Sequence, residues 1–172
     1  YAMLYNLTDI FSSEGKTDNL TVVYEPKTVT IHSEEFPICE CSELTLELTN
    51  KAKGEVLLHG EISLVCEISC GRCLKPVRVP LELKLEEYLK ESLIGTPEAA
   101  DEMSFVTGYE LDTDALVGNE IMINWPMKVL CREDCKGICT VCGKDLNEGD
   151  CGCDRFVPDQ RMAVIKDIFN AK

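Results

Sequence analysis

The stretch Val56-Leu57-Leu58-His59-Gly60-Glu61-Ile62-Ser63-Leu64-Val65-Cys66-Glu67-Ile68-Ser69-Cys70-Gly71-Arg72-Cys73-Leu74-Lys75-Pro76-Val77-Arg78-Val79-Pro80-Leu81-Glu82-Leu83-Lys84-Leu85 carries the fold. Val56, Leu58, Gly60, Ile62, Leu64, Cys66, Ile68 and Cys70 share one parity, opposed by Glu55, His59, Glu61, Ser63, Glu67 and Ser69. After Cys73 the alternation resumes, with Val77, Val79, Leu81, Leu83 and Leu85 against Arg78, Glu82, Lys84 and Glu86. Successive side chains of a strand point to opposite faces, so period two over runs this long means half-buried antiparallel strands. Cys70-Gly71-Arg72-Cys73 then forms the tip of a hairpin joining two long strands. Gly60 in mid-strand suggests a bulge or bend, as a curling sheet requires.

Working outward, Leu44, Leu46 and Leu48 alternate with Thr45, Glu47 and Thr49. Residues 20–24 and 28–31 are short strand candidates, with Pro26 and Lys27 in the turn between them. Gly95 through Glu102 reads as an exposed loop. Ala115–Asn124 is a predicted helix, capped by Asp112 or Thr113 and stopped before Pro126. A last helix is expected from near Asp159, with Met162, Ile165, Ile168 and Phe169 on one face. The expected fold is mainly β (α+β), a curled antiparallel sheet or open barrel with a few helices. It divides into a β domain with an acidic loop and helix over residues 1–127, and a cysteine-rich module with the terminal helix over 128–172.

Eight of the eleven cysteines fall at short spacings: Cys70 and Cys73, Cys131 and Cys135, Cys139 and Cys142, Cys151 and Cys153. Thiolates two to four residues apart suit a tetrahedral zinc ion, because one tight turn places two sulfurs about 2.3 Å from the metal. Cys139-Thr140-Val141-Cys142-Gly143 reads as a zinc knuckle, the glycine relaxing the backbone where the turn closes. Residues 131–153 show neither helical nor strand period and cannot bury enough apolar surface to hold a shape unaided. Spacing allows two partitions: Cys70/Cys73/Cys131/Cys135 with Cys139/Cys142/Cys151/Cys153, or Cys131/Cys135/Cys139/Cys142 with the hairpin pair joined by Cys151/Cys153. Zinc is the expected cofactor; an iron–sulfur cluster uses the same ligand type. Cys66 reads as a small core residue, and Cys39-Glu40-Cys41 as either a weak metal pair or two strand-edge thiols. A thioredoxin-like role for Cys70 and Cys73 would need a strand followed by a helix N-terminus, whereas a hairpin surrounds them.

The 172-residue chain carries a net charge of −14. Such a chain repels phosphate backbones and is complemented by a basic partner. Residues 91–127 hold eight acidic side chains and no Lys or Arg, placing Asp101, Glu102, Asp112 and Asp114 as candidate contacts for that partner. Arg72, Lys75 and Arg78, with Lys128, Arg132 and Lys136, form the opposite candidate, a local basic spot suited to RNA phosphate. Charge balance around thiolates explains the same residues. No apolar run approaches a membrane span, and no charged-then-apolar leader is read, so a reducing cytoplasm and no membrane partner are expected. No nucleophile–base–orienter set, phosphate loop or small-molecule site is visible. Four-thiolate zinc is a closed, structural site, which makes a zinc hydrolase or thiol redox enzyme the weaker reading.

The order of motifs is specific. Cys70-Gly71-Arg72-Cys73-Leu74-Lys75-Pro76 follows the alternating strand; Leu111-Asp112 precedes a helix; Trp125-Pro126-Met127 comes next. The tail reads Cys131-x3-Cys135-Lys136-Gly137-Ile138-Cys139-x2-Cys142-Gly143-Lys144-Asp145-Leu146-Asn147, then Cys151-Gly152-Cys153 and Pro158-Asp159-Gln160-Arg161. Over roughly residues 40 to 170 this resembles the YceD family, the large ribosomal RNA subunit accumulation proteins. One departure is Asp159-Gln160-Arg161, where many relatives read Asp-Pro-Arg. The resemblance implies a cytoplasmic, non-enzymatic factor in large-subunit biogenesis. Joined to the charge, it points to a large-subunit ribosomal protein or pre-ribosomal particle as partner, with ribosomal RNA contacted indirectly. Direct RNA binding by a zinc protein is the alternative.

Overall fold

The structure, a computed structural model, describes residues 3–154. The helix expected from Asp159 lies outside them. In chain order the elements are β1 (Leu4–Asn6), α1 (Thr8–Ser12), β2 (Thr17–Val22), β3 (Thr28–Ile31), β4 (Glu34–Cys41), β5 (Leu44–Ala52), β6 (Glu55–Ser69), β7 (Pro76–Lys90), α2 (Ala99–Glu102), β8 (Val106–Thr107), β9 (Glu110–Asp112) and α3 (Thr113–Ile123). Among the described residues the protein is mainly β, with antiparallel sheets, three helices and an open sheet. Two compact units are present. One holds the chain to Ile68 together with Pro76–Val129; the other holds the hairpin tip Ser69–Lys75 and the chain from Leu130 onward.

In the first unit β6 is the axis of a six-stranded sheet. Residues 38–52 run along it almost without a break. Cys41 pairs with Leu64 and Thr45 with Glu61, and Ser42 N–H donates to the Ser63 carbonyl across the short gap between β4 and β5. β7 also pairs with β6. β2 lines β5, and β3 closes on β4 through His32 and Ser33, both at positive φ as a two-residue hairpin turn requires. Residues 20–24 and 28–31 are therefore not partners of each other; each strand pairs downstream. Pro80 sits exposed on β7, which has β6 as its sheet neighbour, and an edge tolerates the missing N–H.

The alternation is realised on β6, where Val56, Leu58, Ile62, Leu64, Cys66 and Ile68 are buried and Glu55, His59, Glu61, Ser63 and Glu67 are exposed. Leu44, Leu46 and Leu48 of β5 and Leu81, Leu83, Leu85 and Leu89 of β7 extend the apolar face. Leu7, Ile10 and Phe11 from α1 and Leu116, Val117 and Ile121 from α3 belong to the same core. A fully buried leucine here contributes about 2–5 kcal/mol against alanine. Buried Asn50 donates to the carbonyls of Ile10 (2.7 Å) and Phe11 (3.2 Å), satisfying orphan groups at the end of α1.

Gly60 corrects the sequence reading. Its register with Leu46 is unbroken; the irregularities fall between Ile38 and Glu40 and between Asn50 and Ala52. Glycine is required at 60 by close approach, since a Cβ would lie 2.5 Å from Leu46 Cδ2 and 2.7 Å from the Thr45 carbonyl oxygen. The Gly95–Glu102 segment is not all loop: residues 99–102 form α2. Asp112 caps α3, its carboxylate accepting from the N–H groups of Asp114 and Ala115, both at 3.0 Å. Among the described residues no helix is long and apolar enough to cross a membrane.

Candidate metal centres

The second unit is built from two turns of the same design. At the hairpin tip, Leu74 N–H donates to the Cys70 carbonyl (3.0 Å) and Cys70 N–H to the Lys75 carbonyl (2.8 Å). In the tail, Gly143 N–H donates to the Cys139 carbonyl (2.9 Å) and Cys139 N–H to the Lys144 carbonyl (2.8 Å). Each Cys-x-x-Cys turn is thus closed at both ends by the same pair of bonds. The residue after the second cysteine must take positive φ: Leu74 at 62° in one and Gly143 at 74° in the other. Only the second obeys the expected glycine rule.

These turns bring the cysteines into two groups, Cys70/Cys73/Cys131/Cys135 and Cys139/Cys142/Cys151/Cys153, the ligand atoms of each lying within 4.8 Å of one another. A tetrahedron of sulfurs about 2.3 Å from one ion has edges of about 3.8 Å. The separations are 3.5 Å for Cys73 to Cys131 and 3.9 Å for Cys70 to Cys135. Each set is therefore of a size to hold one metal ion. In the first, Cys70, Cys73 and Cys135 are buried and Cys131 is exposed; in the second, Cys139 is buried, Cys142 exposed and Cys151 and Cys153 half-buried. Cys39 and Cys41 lie exposed on β4 outside both sets, and Cys66 is a core residue whose burial pushes its thiol up to about 11.

The turns also favour anionic sulfur. The backbone N–H of Cys73, seconded by that of Arg72, draws the Cys70 thiol down to about 6. The N–H groups of Cys142 and Val141 do the same for Cys139, which also falls to about 6; Val141 N–H donates to Cys139 Sγ at 3.4 Å. One thiol of each set goes the other way. Cys131, hydrogen-bonded to Cys73 and desolvated, is pushed up to about 12, and Cys153, beside Cys142 and Cys151, also to about 12. Negative charge accumulates faster than the backbone can neutralise it, so the last sulfur keeps its proton until a cation replaces it.

Asn147 is a positioning residue that sequence reasoning missed. Its Oδ1 accepts from Lys136 N–H (2.8 Å) and Arg132 Nη2 (2.9 Å); its Nδ2 donates to Asp145 Oδ1 (2.7 Å) and Cys135 Sγ (3.4 Å). The amide is the first cause of the lowered Cys135 pKa. The signal was an Asx residue two places after Asp145, whose carboxylate accepts from Asn147 N–H at 2.8 Å. Gly137 at φ 79° lets Ile138 N–H reach the Arg72 carbonyl at 3.2 Å; a Cβ there would stand 3.0 Å from that oxygen.

The candidate partner-binding cations have partners within the chain. Arg72 Nη1 donates to the Cys135 carbonyl at 2.7 Å, Lys75 pairs with Asp145 at 2.6 Å, and Arg78 pairs with Glu40 at 3.4 Å. The Lys75 ammonium holds the Asp145 carboxyl down at about 2. Of the acidic candidates, Asp101 and Glu102 are exposed on α2, while Asp112 is the cap of α3. Asp114 is half-buried, and burial followed by repulsion from Asp112 raises its carboxyl above the usual range.

Among known proteins, the chain is 29% identical over 106 residues to uncharacterised proteins of Mycobacterium tuberculosis strain H37Rv and of Mycobacterium bovis, a stretch covering 60% of this chain and 51% of each relative. An uncharacterised Mycobacterium leprae protein is 26% identical over 106 residues, covering 60% of this chain and 49% of the relative. The chain spans about half the length of the curated relatives it matches. No solved structure matches it. The family model for the large ribosomal RNA subunit accumulation protein YceD matches residues 58–169, from the long central strand through both cysteine sets, and the chain therefore belongs to the YceD family.

Proposed function

We propose that this chain is a non-enzymatic, cytoplasmic factor in large-subunit ribosome biogenesis that supports accumulation of large-subunit ribosomal RNA by binding a basic ribosomal protein or a pre-ribosomal particle. The observation that carries the reading is the family match over residues 58–169. Two zinc ions, one in each cysteine set, are the proposed cofactors. When bound, each contributes folding free energy, on the order of 10 kcal/mol in small zinc modules, to a unit with little apolar core. Four thiolates complete a zinc tetrahedron and leave no open position for substrate or water, which supports a structural role.

The net charge of −14 supports a basic partner over naked RNA. Asp101 and Glu102 are its proposed contacts, with Asp112 and Asp114 reading mainly as helix-start residues. Arg72, Lys75 and Arg78 would carry the alternative, direct RNA binding, but their carbonyl and carboxylate partners weigh against it. Titration against purified basic large-subunit ribosomal proteins and against ribosomal RNA fragments, at two salt concentrations, tests the proposal. Protein binding that weakens with salt is expected. Tight RNA binding without ribosomal-protein binding would overturn it.

A further inference from the structure

Between β7, α2 and the last turn of α3, a groove of about 270 Å³ opens on the first unit. Its rim carries four carboxylates, Glu87, Asp101, Glu102 and Glu120, and no cation. Among the described residues no Lys or Arg forms an ion pair with any of them. The groove is not simply a charged surface. Leu116 reaches its floor from the core, and Met122 and Ile123 line it while remaining 59% and 75% exposed. Met122 and Ile123 thus place exposed apolar surface directly beside the carboxylates.

The end of α3 brings no cation to the groove: its last turn holds no basic residue, and Asn124 Nδ2 donates to the Glu120 carbonyl at 2.9 Å and to Glu120 Oε1 at 2.7 Å. Glu87 and Glu120 already repel each other, and burial with that repulsion raises the Glu87 carboxyl above its usual range. The carboxylate rim and the apolar lining together favour one ligand chemistry: cations carried on a segment that also presents apolar side chains.

We infer that this groove docks a Lys/Arg-rich protein segment with interspersed aliphatic side chains, the cations meeting Glu87, Asp101, Glu102 and Glu120 and the aliphatic groups covering Met122 and Ile123. The inference rests on the proposed basic partner and gives it an address. RNA is disfavoured at this place, because its phosphates would face four carboxylates. A second copy of this chain, itself strongly acidic, is disfavoured for the same reason.

The test uses the full chain and three fluorescent peptides of equal length: Lys/Arg with Leu, Lys/Arg with Ser, and Glu with Leu. The Lys/Arg/Leu peptide should bind, the Lys/Arg/Ser peptide more weakly, and the Glu/Leu peptide not at all. Glu87→Gln with Glu120→Gln should weaken the first peptide by roughly fivefold or more, as loss of complementary charge does. Ile123→Ser should weaken it toward the level of the Ser peptide. Glu61→Gln with Glu67→Gln, the same charge change on the exposed face of β6, should shift binding by less than about twofold at physiological salt, where distant charges are screened. Groove variants that bind like wild type, equal loss in the β6 control, or a dimer of the chain that the groove variants abolish would each overturn the inference. Titrating purified large-subunit ribosomal proteins in parallel separates the two claims. If wild type and groove variants bind them equally, the groove is wrong and the basic-partner reading survives. If the Lys/Arg/Leu peptide docks by these residues and no ribosomal protein binds, the groove stands and that reading fails.

Discussion

Gly143→Ala is the sharpest probe of the knuckle design. The residue sits at φ 74°, and a Cβ built there meets nothing within 4 Å, so the substitution introduces no clash. What remains is conformational. An L-residue in the left-handed region costs roughly 1–2 kcal/mol. Alanine also loses less freedom on folding than glycine, which returns about 0.4–1 kcal/mol. The net expectation is about 1 kcal/mol against the closed turn, equivalent to roughly fivefold weaker metal binding at the Cys139 set. Competition with a chromophoric chelator tests this: the step that Cys139→Ser removes should move, and the rest of the titration should not. Gly143→Asn should recover most of the loss, since asparagine tolerates this region. The first turn already runs with Leu74 at φ 62°, so the fold should survive the change. Equal behaviour of the Ala and Asn variants, or an Ala variant that binds as wild type, would refute the argument that backbone conformation limits closure.

Protein purified without chelator should contain close to two equivalents of zinc by elemental analysis; less than about half an equivalent of any transition metal would remove the basis for both centres. Cys139→Ser should abolish amide-exchange protection in residues 130–153 while residues 44–68 and 76–85, which have their own core, stay protected; equal loss in both would show that the module is not separable. Zinc binding to metal-free protein at pH 8 should release at least about one proton per ion, because Cys131 and Cys153 at about 12 still carry theirs while Cys70 and Cys139 at about 6 do not. Affinity should accordingly rise with pH, and calorimetry in buffers of different ionisation enthalpy that finds no proton release would contradict it. Gly60→Ala should destabilise the first unit by about 1–3 kcal/mol in denaturant unfolding, since the Thr45 carbonyl at 2.7 Å cannot rotate away.

The long strands β5, β6 and β7 were legible because each alternates over many residues and buries one face. β4 was not: its residues 34–41 are exposed or half-buried throughout, so no parity marks them. β1, β8 and β9 are two or three residues long, too short for a period to exist. Against the candidate at 20–24, β2 starts three residues earlier and ends two earlier; Val23, apolar in sequence, lies 63% exposed past the strand end. Gly60 carried two physical meanings, kink and close approach, and only the packed neighbour Leu46 decides between them. At the cysteines, the pairs were readable because one turn must span two ligands of the same ion. Which pairs join was not, since Cys73 and Cys131 are 58 residues apart and their meeting is tertiary. Asn147 reaches four partners that only the folded tail assembles.

That separation also gives the two centres different histories. Cys139, Cys142, Cys151 and Cys153 leave a ribosome almost together, whereas Cys73, the later of the hairpin pair, precedes Cys131 by 58 residues. At about 5–20 residues per second, the hairpin dithiol exists for roughly 3–12 seconds with half a coordination shell. In that window it is a nascent-chain chelate or an oxidation target. The order in which metal, oxidant and the remaining cysteines reach it determines whether the newly made chain can close its first centre.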